Sequence, residues 1–508
     1  MKQIITYIIL FFCWLNSSFA TNADTTLHAQ QPITTIEKFV SRQNIHPLPF
    51  SEAIENPSVM NTAFNSSFIQ LQLLFAEKKQ SESFQLEYGD EQKLFTIDVD
   101  SYKHISERLT LWGKATYYNA TKHNTKWNNV ADFDLLFPYI IADSLGGNNK
   151  NESYNIGGGF ALQLKQWNIG GTITYRGEQE YRTADPRTRC IVSDLNMKIG
   201  VSRAIRNYKI AFAAKGNIYN QTADVDFYSD IKSATEYQLT GLGTSYTRFS
   251  SSQRNIYFDG LGGELSADIV PIQKGWNAHL LISQHKYDRI SDEYNSVKLT
   301  TLYVQKYRLT IGNKNFIRNT SAWIDANMTK RIGDEHIVGS ASQQDYPIVA
   351  SLTMYTQKCL DTHLGLMNTL NSWNITTKIG LNTSDEKYIY PERLLKTSHA
   401  YISALGQKIW HTQKCLFNLK LNADYRHCIN EKIKMPYANI TNTIRQYINH
   451  NYTFQKANYL SLGTSMRTEM PLSTFKSNVF GQISGNWTRC SESENEFNIQ
   501  LSFGIIIN

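Results

Sequence analysis

The clearest pattern in the chain lies near its carboxyl end, where apolar and polar residues alternate from Phe497 to Asn508. A period of two predicts a β-strand with two different faces. A chain that ends on such a strand, after a cleavable leader, is typical of a barrel in a bacterial outer membrane, although a soluble β-sandwich can end in the same way. The apolar side of this strand consists of Phe497, Ile499, Leu501, Phe503, Ile505 and Ile507.

The same alternation recurs along most of the chain and is best seen from Cys415 to His427. It gives about twenty strand candidates, among them one starting near residue 83 and one near residue 443. Many candidates reach the roughly 9–11 residues of a transmembrane strand, whereas strands of soluble sandwiches usually stop at about five or six. The pattern therefore predicts an all-β fold, a transmembrane antiparallel up-and-down β-barrel of roughly 14–18 strands.

Three regions are expected. Residues 1–20 have the form of a secretory signal peptide, with Lys2 before an apolar run and a small-residue cleavage site. Residues 21–66 are polar and interrupted by prolines, which predicts a periplasmic or lumenal segment. Residues 67–508 form the predicted barrel, because no later segment is apolar for long enough to cross a membrane as a helix.

Connection lengths predict the orientation of the barrel. Tight turns at Gln166–Asn168 and Ile205–Asn207 alternate with longer loops at Gly177–Asp194 and Gln221–Gln238. Outer-membrane barrels place short turns in the periplasm and long loops outside, so both loops are expected at the cell exterior. The same parity places Asn119–Ser153 outside, but it requires an odd number of preceding strands and the pattern offers an even number.

The loop at 119–153 contains an apolar stretch with Phe133, Phe137 and Tyr139. A long apolar segment is rarely left standing in water. We expect these residues to belong either to a plug that folds into the lumen or to a loop that docks a partner protein.

Charged and amide residues on one face of a predicted strand are candidates for the lumen lining. Asn418, Lys420, Asn422, Asp424 and Arg426 share the face opposite the apolar residues of that strand. In a wide barrel such residues set ion preference. The alternative is that they pair with charges across the lumen and only hold the wall together.

A second polar cluster consists of Asp185, Arg187 and Arg189 in a predicted turn. Two arginines on one turn can clamp a carboxylate or a phosphate, and lipopolysaccharide phosphates would be a natural partner. The alternative is that the three residues pair with neighbouring strands and brace the loop.

Other features limit the possible functions. The net charge of +7 is spread along the chain without a basic run, so no nucleic-acid partner is expected. The cysteines after the leader are too sparse for a disulfide scaffold, and neither a metal site nor a cofactor site is predicted. No catalytic motif occurs, so the sequence predicts no enzyme and no catalytic residues. A rim hydrolase stays open because sequence alone cannot place its residues.

Four segments carry a resemblance to a known family. They read L-F-P-Y-I-I-A-D-S-L-G-G, Y-N-I-G-G-G-F, Y-R-G-E-Q-E-Y-R-T-A-D-P-R-T-R and S-D-L-N-M-K-I-G, between residues 136 and 200. In these segments the chain resembles an uncharacterised barrel family of Bacteroidota. The resemblance implies an outer-membrane location and a barrel fold but supplies no chemistry. The carboxyl-terminal Asn508 departs from the aromatic last residue usual in such proteins.

The functional prediction is a channel or facilitated transporter for small molecules, lipophilic ones among them, in the outer membrane of a Gram-negative bacterium. The alternatives are a structural or assembly barrel that anchors a surface or secretion partner, an outer-membrane hydrolase, and a secreted soluble β-protein. Expected partners are the lipid bilayer, lipopolysaccharide, the barrel-assembly machinery and an unidentified surface or periplasmic protein.

Overall fold

The computed structural model describes residues 55–226, 236–246, 254–292, 296–317, 319–340, 346–370, 372–436, 440–472 and 477–507. The predicted signal peptide and most of the segment 21–66 lie outside these residues. In the described part of the chain no helix is long and apolar enough to cross a membrane.

Strands account for most of the described residues. They are β1 Phe68–Gln80, β2 Glu91–His104, β3 Leu109–Thr125, β4 Ile141–Asp143, β5 Gly147–Leu164, β6 Trp167–Arg182, β7 Arg187–Ile205, β8 Tyr208–Asp226, β9 Glu236–Gly241, β10 Thr244–Ser245, β11 Arg254–Pro271, β12 Gly275–Ser291, β13 Val297–Ile317, β14 Thr320–Val338, β15 Ile348–Leu370, β16 Trp373–Tyr388, β17 Arg393–His411, β18 Leu416–Lys434, β19 Tyr459–Leu472, β20 Ser477–Cys490 and β21 Asn495–Ile507.

Helices are short and few among the described residues. Two are α-helices, α1 Phe133–Leu136 and α2 Asn442–Gln455, and two are 3₁₀-helices, Pro57–Thr62 and Leu86–Tyr88. Helix α2 is the longest of them, and Thr441 caps it by accepting a hydrogen bond from the Ile444 amide at 3.3 Å.

Eighteen of the described strands form one closed antiparallel sheet, as predicted. Each strand pairs with its neighbours in the chain, except where β4, β9 and β10 leave the wall to form a separate three-stranded sheet. The barrel closes where β21 pairs with β1, from Ile507 opposite Ile69 to Glu496 opposite Gln80. Closure leaves no strand edge exposed to lipid, which a membrane requires.

The outer face of the barrel is apolar over a band around its middle. On β1 the outward residues Ile69, Leu71, Leu73 and Phe75 are all exposed, and they alternate with inward Gln70 and Gln72. The same holds for β21, where Phe497, Ile499 and Ile507 are exposed while Ser502 and Ile506 are buried inside. A closed, even-numbered barrel with such a band is an outer-membrane protein of a Gram-negative bacterium.

The two ends of the barrel differ. At one end, the turn end, β5 joins β6 through Lys165–Gln166, and β7 joins β8 through Arg206–Asn207. Lys165 and Arg206 have φ of 53° and 52°, the left-handed conformation of two-residue hairpin turns. The other end, the loop end, carries the long connections 126–146, 227–253 and 435–458. By the usual rule the loop end faces the cell exterior.

Several boundaries differ from the sequence prediction. The loop expected at Gly177–Asp194 is only 183–186, because β6 and β7 continue as a ribbon above the apolar band. The candidates near residues 83 and 443 are helices, since both segments fold inward rather than along the wall. Without the strand candidate near residue 83, three wall strands precede residue 126, which is the odd number that the orientation requires.

A lysine substitution in the apolar band tests whether this band lies in the hydrocarbon region of the membrane. Leu280→Lys puts a charge on the outward face of β12, where Leu280 is 43% exposed, and we expect it to cost about 2–4 kcal/mol of barrel stability. The measurement is the urea midpoint of protein refolded into liposomes. Gln284→Lys, on the same face above the band, is the control and is expected to cost at most about 1 kcal/mol. Equal losses for the two variants would contradict the placement.

Candidate functional site

The lumen at the loop end is filled by the chain itself. Residues 126–146, the plug segment, leave the wall after β3 and return at β5. Ile140, Ile141 and Ala142 at its centre are completely buried. They pack in one cluster with inward apolar residues of the wall, namely Val192, Tyr219, Val225, Ile256, Phe258, Leu302 and Val304. These wall strands are apolar on their inner face here because the lumen at this height contains protein rather than water.

A buried ion pair fixes the plug segment to the wall on one side. Arg182 of β6 donates to Asp143 at 3.0 Å, and the two side chains are 0% and 1% exposed. The same guanidinium donates to the Asn129 side chain at 2.6 Å. Removing one partner of such a pair costs about 3–5 kcal/mol, because the other charge stays buried and unpaired.

A second anchor on this side involves Asp132, at the start of helix α1. Arg176 donates to both of its carboxylate oxygens, at 2.9 Å and 2.6 Å. The Tyr219 hydroxyl donates to the same carboxylate at 2.8 Å. A bidentate arginine pair fixes orientation as well as distance, so the first turn of α1 is held in a defined position against β6 and β8.

On the opposite side, arginines of the wall reach inward to backbone carbonyls. Arg331 of β14 donates to the carbonyl of Phe137 at 2.6 Å and also to that of Asp134. Arg289 of β12 donates to the Leu239 carbonyl at 3.0 Å, and Arg393 of β17 to the Leu242 carbonyl at 2.7 Å. Irregular backbone inside a barrel needs such partners, because each unpaired buried carbonyl costs free energy.

A lid covers the plug segment and consists of helix α2 and the 3₁₀-helix Leu86–Tyr88. Glu87 joins the two, since its carboxylate accepts from the Tyr447 hydroxyl at 2.5 Å and from the Asn451 amide at 2.7 Å. Trp127 of the plug segment stacks on Tyr447, with ring centroids 4.6 Å apart. The lid and the plug segment are therefore one packed unit.

Burial governs the electrostatics of this lid. Desolvation raises the pKa of the Glu87 carboxyl above its usual value, although the hydrogen bonds from Tyr447 and Asn451 oppose the shift. Burial, followed by the charge of Glu87, raises the pKa of the Tyr447 phenol. Glu87 therefore takes up a proton more readily in the folded lid than in the unfolded chain.

Between the lid, the plug segment and the wall lies a cavity of ≈ 630 Å³. Its walls combine aromatic rings with hydrogen-bonding and charged groups. The rings include Phe84, Phe133, Phe137, Tyr452 and Tyr459, and the polar groups include Arg331, Gln357, Asn382, Ser384, Glu386 and Arg426. A cavity of this size and lining suits a small molecule that has both apolar and polar groups.

The turn end of the lumen is occupied as well. The 3₁₀-helix Pro57–Thr62 lies against the inner wall, and the Tyr102 hydroxyl donates to the Met60 carbonyl at 2.7 Å. A Cβ at Gly170 would lie 2.4 Å from the Pro57 backbone, and one at Gly200 would lie 2.2 Å from the Asn56 side chain. Glycine at both positions is what lets the helix approach the wall so closely.

The residues predicted to line the lumen lie on β18, where they alternate with outward residues such as Leu421 and Tyr425. Asn418 accepts from Gln407 at 3.1 Å, and Asn422 donates to Asp424 at 3.2 Å. Both contacts run along the wall and neither crosses the lumen, so the role of these residues in ion preference stays a prediction. Lys420 shares this face, and Arg426 lies next to His399 and lines the cavity.

The predicted anion cluster lies at the start of β7, at the loop end. Arg187 pairs with Asp185 at 3.1 Å, and Arg189 faces Asp224 in the strand register. Arg187 and Arg189 are exposed while the alternating residues Thr188 and Cys190 are buried, so both arginines point outward. A carboxylate therefore lies near each arginine, and both alternatives, bracing of the loop and anion binding, stay predictions.

Phe133, Phe137 and Tyr139 pack inside the barrel. Phe133 contacts Tyr88 edge-to-face and Phe137 with tilted rings, with centroids 5.7 Å and 5.4 Å apart. Tyr139 is 2% exposed and lies beneath the Arg289 guanidinium. Little of this apolar surface is left for docking a partner.

Sequence reasoning missed helix α2 although its signal is present. Ile444, Tyr447, Ile448, Asn451 and Phe454 are its buried residues, at the i, i+3, i+4, i+7 spacing of a helix face. The inward arginines Arg289, Arg331 and Arg393 carry no comparable signal, because charged residues are common on the inward face of a barrel. No group of three or more potential metal ligands occurs among the described residues, and all five of their cysteines are free.

Solved structures with a similar fold are outer-membrane receptors and transporters. The ferric preacinetobactin receptor BauA of Acinetobacter baumannii matches with a TM-score of 0.43 and 10% identity, over 86% of this chain and 80% of that chain. The outer membrane transporter YddB of Escherichia coli gives 0.40 and 8%, over 86% and 80%. The ferric citrate transporter FecA gives 0.41 and 9%, over 88% and 79%. No curated protein matches the chain. A sequence profile for a family of unknown function, DUF6850, matches residues 57–507.

The buried carboxyl of the lid predicts a pH dependence. Because the pKa of Glu87 is raised on folding, its contribution to lid stability is largest below the unfolded pKa and is lost as pH rises through the folded pKa. We expect Glu87→Gln to remove this dependence and to leave the lid closed at neutral pH. The measurement is the fluorescence of Trp127 and the hydrogen exchange of α2 between about pH 4 and pH 8.

Glu107→Gln is the control, since Glu107 is exposed at the turn end. It is expected to leave the pH profile of the lid as in the wild type. A Glu87→Gln variant that kept the wild-type profile would show that another group is responsible.

Proposed function

The chain belongs to this family of unknown function, DUF6850, so its role rests on its own residues, and we propose that it is an outer-membrane transporter for a small molecule. In this proposal the plug segment closes the lumen and the cavity at the loop end is the substrate site. The observation that carries it is a lumen filled by the chain's own loops, beside a cavity of ≈ 630 Å³ with specific polar groups.

The contacts of the plug segment favour a gate over permanent filler. Its anchors are discrete polar contacts, the pair of Arg182 with Asp143 on one wall and the hydrogen bonds of Arg331 on the other. An element held by a few discrete polar contacts can adopt two discrete arrangements if those contacts find other partners in the second one.

The chemistry of the cavity suggests the substrate class. Phe84, Phe133 and Tyr452 supply apolar faces, which suits a partly lipophilic solute. Arg426 supplies donors for a carboxylate or other acceptor group. We propose a small solute that carries both kinds of group, with the residues of β18 from Asn418 to Arg426 lining its path.

Other predicted features stay part of this proposal. Residues 21–66 would continue from the 3₁₀-helix Pro57–Thr62 into the periplasm, and residues 1–20 would direct export before cleavage. The barrel-assembly machinery would insert the chain, and Arg187 and Arg189 would sit at the height of lipopolysaccharide phosphates. A Bacteroidota source likewise remains a prediction.

Releasing the plug segment from both walls tests the transport proposal. Asp143→Ala removes the carboxylate that pairs with Arg182, and Arg331→Met removes two donors to the plug backbone. We expect the double variant to raise single-channel conductance in planar bilayers and to speed solute uptake into proteoliposomes severalfold, while the protein remains a folded, heat-modifiable barrel.

The matched control is Asp385→Ala with Lys330→Met. Asp385 forms an exposed pair with Lys396, and exposed pairs contribute about 0–1 kcal/mol; Lys330 lies beside Arg331 on the opposite face of β14. The control is expected to conduct like the wild type. A folded Asp143→Ala, Arg331→Met barrel that conducts no more than this control would overturn the gate.

A further inference from the structure

Four polar side chains on adjacent strands form one hydrogen-bonded chain on the barrel wall. Ser351 of β15 lies 2.8 Å from Nδ1 of His336 on β14. Nε2 of His336 lies 3.0 Å from the hydroxyl of Thr301 on β13. Thr301 in turn donates to Asp288 of β12 at 2.6 Å. None of these residues takes part in the plug segment, the lid or the cavity.

The charges around Asp288 determine which group donates each hydrogen bond in this series. Its other carboxylate oxygen accepts from Lys286 at 2.9 Å and from Lys298 at 2.7 Å, so the carboxylate stays ionised and only accepts. Thr301 must therefore donate to it, which leaves the Thr301 oxygen to accept from Nε2–H of His336. Nδ1 of the neutral imidazole then carries the lone pair, directed at the Ser351 hydroxyl. This is the arrangement of a nucleophile, its base and an orienting group.

The four side chains face outward, away from the lumen. Asp288 lies on the same face of β12 as Ile282, which is exposed in the apolar band, and the register is regular between them. Arg289, the next residue, points inward to Leu239. Thr301 pairs directly with Asp288, and Ser351 is exposed to solvent. The site therefore stands above the apolar band, at the level of lipid headgroups and water.

We propose that Ser351, His336, Thr301 and Asp288 form an acyl-ester hydrolase site on the outer wall, acting on an anionic amphiphile at the membrane surface. The position at the lipid–water boundary brings an ester group to the height of Ser351. Lys286 and Lys298, which are partly exposed, supply positive charge for a phosphate or carboxylate of the substrate. The activity is independent of transport through the lumen.

The reaction follows from the hydrogen-bond order. Oγ of Ser351 attacks the ester carbonyl carbon while its proton passes to Nδ1 of His336. The carbon–oxygen bond to the alcohol breaks, and the alcohol leaves with that proton. Water then attacks the acyl-serine, with His336 again taking and returning the proton. The net change is ester plus water to carboxylic acid plus alcohol. Ser351 and His336 are the catalytic residues, and Thr301 and Asp288 are positioning residues.

Full-length protein folded in detergent micelles provides the test. A fluorophosphonate probe is expected to label Ser351, identified by mass spectrometry, and p-nitrophenyl decanoate and phosphatidylglycerol vesicles are expected to be hydrolysed. Ser351→Ala should abolish labelling and turnover. His336→Asn should lower kcat by about 10²-fold or more. Thr353→Ala, which removes a neighbouring outward hydroxyl bound to Asp334 at 2.6 Å, is the control and should match the wild type.

The role of Thr301 has its own readout. Thr301→Val should lower kcat with KM unchanged and alter the pH profile, because Nε2 loses its acceptor, and Thr301→Ser should restore both. Heat modifiability confirms that each variant is folded. Folded wild-type protein that neither labels at Ser351 nor cleaves either ester would overturn the proposal. Labelling of Ser351 that persists unchanged in His336→Asn would also overturn it.

Discussion

Every feature of this protein depends on the pairing of β21 with β1. That ladder closes the wall, so every backbone N–H and C=O within the lipid has a partner in a neighbouring strand. Closure also separates two environments with opposite demands on the side chains. Outward-facing positions in contact with hydrocarbon carry apolar residues such as Ile, Leu and Phe. Inside, the lumen accepts polar residues, ion pairs and a second layer of folded chain.

The folded chain inside the barrel lacks the regular backbone hydrogen bonds that the wall strands have. The plug segment and the strands β4, β9 and β10 have too few backbone partners of their own, and their carbonyls lie where little water reaches. Wall arginines supply the missing donors, since a guanidinium on a long side chain can reach inward from a fixed strand. Arg289, Arg331 and Arg393 each bind a carbonyl in this way. The same polar contacts that stabilise the plug segment also allow it to exchange partners with water.

The barrel could be predicted from sequence because its pattern is local. The alternation along β18 and β21 is visible within a dozen residues, and the strand length distinguishes it from a soluble sheet. The interior could not be predicted, because its contacts join distant positions. Arg182 and Asp143 meet only through the barrel topology, and so do Glu87 and Tyr447. Helix α2 is an exception, since its apolar spacing was present in the sequence and was mistaken for a strand. The hydrogen-bonded series of side chains from Ser351 to Asp288 spans four strands, so no short stretch of sequence reveals it.

The position of the plug segment in the chain has a consequence for biogenesis. It follows only the third wall strand, yet its contacts at Arg331 and Arg289 belong to strands made much later. The plug segment is therefore synthesised long before the wall strands that enclose it. The interior has to assemble while the seam between the first and final strands is still open, and sealing that seam traps whatever arrangement has formed.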